Sequence, residues 1–243
     1  MYLHRLRNLI RPFVPSGLRS WLAIWWARLD PGFKRRCELS FWERRLEESR
    51  PEDEPGYYKK FMMDMGGIKD QKFFDDLICL DIGCGPRGSL NWLTNARARI
   101  GVEPLAEQYI KFGITSHPIV YLTCGAENMP FPSGSIDVVF SMNSLDHVDD
   151  IKATCVEIRR VLKPGGWFIG SLNLDEPRSI TELWTLTEAF LAKHLFDGWV
   201  KEFYEIRPKV QPDLYKYFYV RCPLELMNRP GPKALWCRMR VPV

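Results

Sequence analysis

The chain has 243 residues, 46% of them apolar, enough for one α/β domain with additions and a sizeable core. Its net charge of +4 is too modest to call for nucleic acid, and no run approaches the ~20 apolar residues that span a bilayer. Seven cysteines without a CxxC pair argue against a disulfide framework or a zinc ribbon and suggest a reducing compartment, the cytoplasm. The early apolar run Trp21 to Ala27 is short and lacks a small-residue cleavage site, so no secretory signal is expected.

The first 36 residues are basic and aromatic. Arg5, Arg7, Arg11, Arg19, Arg28, Lys34, Arg35 and Arg36 face only Asp30, with Trp21, Trp25, Trp26 and several leucines between them. Pro12 and Pro15 divide the stretch into a short basic helix and a helix from about Gly17 to Leu29. Indoles beside cations suit a membrane interface; a helical cap packed on the main domain is the competing reading. Residues 40–49 read as a short charged helix with Phe41 and Trp42 as its apolar contacts, and residues 50–56 as a Pro- and acid-rich linker. A second short helix spans Tyr57 to Met65 and ends at Gly66-Gly67. Placed before the first strand, it could bring Tyr57, Tyr58 and Phe61 to a substrate crevice, against ordinary packing for each.

Leu77 to Ile82 is apolar up to Asp81, as in a strand buried on both faces of a parallel sheet, and runs into Gly83-Cys84-Gly85-Pro86-Arg87-Gly88. Gly83 and Gly85 let the backbone turn sharply and approach a ligand. The glycines also fit G-x-G-x-x-G, the dinucleotide fingerprint, but Asp81 at the strand end would repel a pyrophosphate and hold a cationic amine. A plain tight turn with Asp81 capping a following helix, expected over Ser89 to Asn95, is the structural alternative. A second strand, Arg99 to Pro104, carries Glu103 about twenty residues after the first glycine, a spacing at which an acid takes ribose hydroxyls.

Further elements follow in alternation. They are a helix Leu105 to Phe112, a strand Ile119 to Leu122, a strand Ser135 to Ser141 ending in Asn143, Asp146 and His147, an amphipathic helix Ile151 to Leu162, and a strand Trp167 to Leu172 after Lys163-Pro164-Gly165-Gly166. That rhythm means βαβ units and a parallel sheet. Ser179 to His194 reads as a helix; Val200 to Ile206 and Tyr215 to Arg221 alternate as strands; Pro223 to Val243, Pro-rich and basic, reads as a wrapping tail.

The ordered set DIGCG, VEP, GAENMPF, IDVVFSMNSLDHV and LKPGGWF, over residues 74–174, resembles the class I S-adenosylmethionine-dependent methyltransferases, nearest the broad group of ubiquinone/menaquinone and small-molecule or glycan enzymes. The resemblance implies a Rossmann-like α/β fold: a seven-stranded, mostly parallel sheet closed by a C-terminal antiparallel strand pair, here with an N-terminal helical extension. It divides the chain into residues 1–72 (extension and lid), 73–222 (methyltransferase domain) and 223–243 (tail). S-adenosylmethionine is the implied cofactor. Asp81, Gly83 and Gly85 would form the pocket for its methionine part, Glu103 would bind the ribose and Pro104 would lie beside the adenine. Ala126 and Glu127 would border the adenine edge, and Met142 and Asn143 would sit near the sulfonium. Gly125 stands where the commoner pattern has Asp, leaving Glu127 or backbone to accept from the adenine amino group. His147 is the candidate general base, with simple packing as its alternative. Asp146 and His147 resemble the divalent-metal motif of ubiquinone-pathway enzymes, but Asn143 stands where those carry an acid, so no metal is expected. The implied acceptor is a small molecule, glycan or lipid-linked intermediate, modified at oxygen, and the basic, aromatic N-terminus favours one at or near the cytoplasmic membrane face. Protein or RNA methylation, and a non-catalytic methyltransferase-like partner protein, are the alternatives. Oligomeric state is not legible.

Overall fold

The computed structural model describes residues 16–48, 56–209 and 231–243. Two helices, α1 (Ser16–Leu29) and α2 (Pro31–Glu47), and a third, α3 (Tyr57–Met65), precede the first strand, β1 (Ile78–Ile82). Then come β2 (Ala98–Val102), the short α4 (Ala106–Tyr109), β3 (Val120–Leu122), β4 (Ile136–Met142), α5 (Ile151–Val161), β5 (Leu162–Leu174), α6 (Glu188–His194), β6 (Val200–Pro208) and β7 (Lys233–Arg240).

The strands form one seven-stranded sheet in the order β3-β2-β1-β4-β5-β7-β6. The first five run parallel; β7 pairs antiparallel with both β5 and β6. Alternation along the strands sends side chains to two cores. Leu80 and Ile82 of β1 join Val139, Phe168 and the α5 residues Ile158 and Val161 on one face. Cys79 joins Phe61, Met62, Phe140, Ile169 and Trp236 on the other. Burial on both faces is why β1 reads as an apolar run rather than an alternating one.

Several sequence expectations need correction. Ser89 to Asn95 is not a helix. Gly88 has φ +71°, and Asn91, Leu93 and Ala96 bond back only three residues, giving successive single turns. The short polar side chains there compete with a helical backbone, while Leu90 and Leu93 are pulled into the core. Ser179 to His194 is helical only from Glu188, where the Thr187 side chain accepts from the Phe190 amide. The stretch before it is held open instead: the Trp184 amide bonds to Asp146 O at 3.2 Å and its indole to Val148 O at 2.8 Å. Residues 40–47 continue α2 rather than standing alone. The terminal segment is no wrapping tail. Lys233–Arg240 is a strand inserted between β5 and β6, with Ala234, Leu235 and Cys237 buried. The expected strand at 215–221 and the basic helix before Pro12 lie outside the described residues.

Candidate active site

The carboxyl ends of β1, β2 and β4 open into a cavity of about 770 Å³, roofed by α2. The size suits a cofactor with room for an acceptor.

At the β1 end, Gly83 and Gly85 have φ of +65° and +59°, the left-handed region that favours glycine. A side chain at Gly83 would strike Ser144, and one at Gly85 would press on the Trp42 ring of α2. Asp81 is buried at the end of β1. Ser89 Oγ donates to its Oδ2, while Oδ1 is buried without a hydrogen-bond partner among the described residues. Burial raises its pKa to about 7, the Ser89 bond opposing and the nearby Glu103 adding to the rise. Glu103, just past β2, accepts from the Gly85 amide at 3.2 Å and the Leu105 amide at 3.0 Å. Burial raises it too to about 7, the two amides offsetting part of the effect. Two buried carboxyls beside a bare glycine loop make a seat for a cation, not for a pyrophosphate.

Pro104, Ala126 and Glu127 line the same cavity, as do Met142 and Asn143. Glu127 is partly committed: its Oε1 accepts from the Asp149 and Asp150 amides at 2.6 and 3.1 Å, and a side chain at Gly125 would fall on its Oε2. Asn143 takes φ +51°, and its Oδ1 is buried without a partner among the described residues. Tyr57 and Tyr58 line the cavity. Phe61 does not: it is packed in the core, stacked on Tyr57 and edge-on to Trp236 at 5.3 Å.

His147 also lines the cavity. Its Nδ1 is 3.3 Å from Glu38 Oε1 on α2, and its Nε2 is 3.9 Å from Asp146 Oδ1. Burial pulls the imidazole pKa down, but Asp146 and Glu38 outweigh it and raise the group to about 9. Buried Lys34, one turn before Glu38, donates to the His147 carbonyl and to Asp149 Oδ1 at 2.5 Å. Sequence reasoning passed over Lys34 and Glu38. The signal was there: Lys34, Glu38, Phe41, Trp42 and Arg45 recur at helical spacing, and that face lines the cavity. A second set gathered only by the fold is Asp146, His147 and Glu182, whose ligand atoms lie within 4.8 Å of one another, a spacing that could hold a cation.

Residues 80–170 match the methyltransferase domain family. Those residues form a class I S-adenosylmethionine-dependent methyltransferase domain. The ubiquinone biosynthesis O-methyltransferase of Parvibaculum lavamentivorans is 30% identical over 177 residues, covering 69% of this chain and 64% of that one. The mitochondrial arginine-hydroxylase NDUFAF5 of Rattus norvegicus is 37% identical over 98 residues, 39% of this chain and 28% of that one. The chain spans less than two thirds of the length of the curated relatives it matches. An S-adenosylmethionine-dependent methyltransferase structure from Mesorhizobium loti shares the fold, with TM-score 0.50, 18% identity, and coverage of 69% of this chain and 92% of that one. The cofactor of this domain is S-adenosylmethionine. The residues present fit it: Asp81, with an orphaned buried carboxylate oxygen, closes the end of β1, and Gly83, Gly85 and the second buried acid, Glu103, line the cavity beside it.

Proposed function

We propose that this protein transfers a methyl group from S-adenosylmethionine to an oxygen of a small-molecule, glycan or lipid-linked acceptor. The observation that carries the reading is the buried, half-satisfied Asp81 at the end of β1, directly beneath the glycine turn whose Gly83 and Gly85 line one cavity with Glu103 and His147. When bound, the cofactor supplies an already activated methyl group, so the protein's task is mainly to align donor and acceptor.

Asp81 Oδ1 receives the cofactor's amino group, and Gly83 and Gly85 leave room for its backbone-like end. Glu103 has lone pairs left beyond its two amide bonds for the ribose hydroxyls. Pro104 and Ala126 flank the adenine, and Glu127 Oε2 is the side-chain acceptor for the adenine amino group in place of the missing acid at Gly125. Asn143 Oδ1 and Met142 face the transfer point.

His147 is the base. Glu38 accepts from Nδ1–H, which fixes the tautomer and leaves Nε2 to take the acceptor proton; Asp146 then steadies the imidazolium. The free site holds His147 protonated at neutral pH. Met142 and Asn143 line the same cavity as His147 and would hold the cofactor's cationic end, whose charge would favour the neutral imidazole that can take a proton. Tyr57 and Tyr58 wall the acceptor, and residues 1–36 provide a peripheral contact with the cytoplasmic face of the membrane. Transfer through His147 needs no metal.

Identity with an arginine-hydroxylase warns that this domain hosts more than one reaction. Calorimetric titration with S-adenosylhomocysteine, with NADH as control, decides the first step. Micromolar binding of the former alone supports the reading. Binding of neither, with the protein folded, turns the domain into a non-catalytic partner.

A further inference from the structure

The least satisfied surface of the molecule is on α1. Leu18, Trp21, Leu22, Trp25 and Leu29 recur at i, i+3, i+4, i+7 and i+11, with Trp26 alongside, and all six are between 44 and 61% exposed. The helix is anchored beside that stripe. Ala27, on the opposite face, is buried, and Arg28, at the edge of the stripe, stacks over the Trp184 ring at 5.1 Å while donating to Leu183 O at 3.1 Å. The helix is therefore docked on the domain with its apolar stripe turned outward, the reverse of what burial would select in water.

Three features choose the occupant. Three of the six side chains are tryptophans, which favour the boundary between headgroups and acyl chains. The charge of the segment is one-sided: residues 1–36 carry eight cations and one acid. Two copies of so basic a segment would repel, whereas an anionic surface would attract it. The helix has 14 residues, about 21 Å at 1.5 Å per residue, too short for a ~30 Å hydrocarbon core. Among the described residues no helix is long and apolar enough to cross a membrane.

We propose that the exposed face of α1 lies in the headgroup layer of an anionic membrane. Its anchor, Leu183 and Trp184, directly follows Thr181 and Glu182, which line the cavity. Docking therefore brings the segment that forms this wall of the cavity close to lipid and favours a membrane-resident acceptor, a consequence that rests on the methyltransferase reading. The surface itself does not.

The test uses the full chain and its Trp21→Ala/Trp25→Ala variant, sedimented with vesicles of mixed phosphatidylcholine and phosphatidylglycerol or of phosphatidylcholine alone. The expected result is binding to the mixed vesicles that weakens on neutral lipid and in high salt. The variant should lose about tenfold or more of it, with unchanged affinity for S-adenosylhomocysteine. Equal sedimentation of the two proteins, or no binding of the wild type to anionic vesicles, overturns the proposal. So does a lipid-free dimer that the double substitution dissociates, which would give the face to a second copy. Vesicle binding without S-adenosylhomocysteine binding would leave the surface standing and sink the methyltransferase reading instead.

Discussion

The two walls of the cavity are held by different means. The sheet-edge wall rests on backbone: the Gly83 amide bonds to Val102 O at 2.8 Å and the Glu103 amide to Leu122 O at 3.0 Å, so each functional group rides on the end of a buried strand. The roof, α2, rests on side chains: Lys34 on Asp149 and the His147 carbonyl, Glu38 on the imidazole, Trp42 against Gly85, and Glu43 on Lys111 at 2.5 Å. A backbone-built wall keeps its shape when one side chain is changed. A wall built from a few polar contacts transmits each change to the group it touches, and here that group is the proposed base.

Substitutions on the two walls should therefore separate binding from chemistry. The largest effect is expected from His147→Ala, which should lower kcat by about 10²–10⁴-fold with little change in S-adenosylhomocysteine affinity; an undiminished kcat would make the histidine a packing residue. Next, Asp81→Asn should weaken S-adenosylhomocysteine binding by about 100-fold, roughly 2.7 kcal/mol, by calorimetry. The same change should stabilise the free protein. The folded carboxyl titrates near 7 instead of 3.8, so the penalty for its burial is absent below about pH 4 and grows as pH rises towards 7. The gain in Tm should be largest above pH 7 and vanish in acid. A Tm that falls at every pH would mean that Asp81 supports the fold rather than a ligand.

A smaller effect is expected at the roof. Glu38→Gln keeps the shape but removes a charge that favours imidazolium, so the acid limb of the kcat profile should move down by about one pH unit. A uniform loss without that shift would assign Glu38 to packing. The smallest expected effect is none: dialysis against EDTA should leave turnover unchanged. Loss restored by added Mg²⁺ would give Asp146, His147 and Glu182 to a metal and break the proposed role of Glu38.

The legible half of the site follows the same division. Asp81, Gly83, Gly85 and Glu103 could be read because each sits at a fixed offset from a strand whose apolar run is itself a sequence signal. That the first five strands run parallel was legible from the alternation of strand and helix patterns. The region after the loop misled, because Ser89 to Asn95 has helical apolar spacing but turn-forming polar residues, and the pull of Leu90 and Leu93 into the core decided between them. The C-terminal strand misled for another reason. Lys233–Arg240 reads as a basic tail until it is seated between β5 and β6, which satisfy its backbone on both edges, with Ala234 to Cys237 buried on both faces of the sheet.

From sequence alone a glycine turn at the end of a buried strand, and the sheet that carries it, were already specified, because hydrophobic period and glycine geometry act over a few adjacent residues. Only the tertiary structure decided what faces that loop. Glu38 lies 109 residues before His147 and Glu182 lies beyond β5, and no local rule relates such positions. It also decided which side of α1 meets the protein. The tryptophans looked equally ready to pack inward, until Ala27 and Arg28 took the contact and left the indoles in the open.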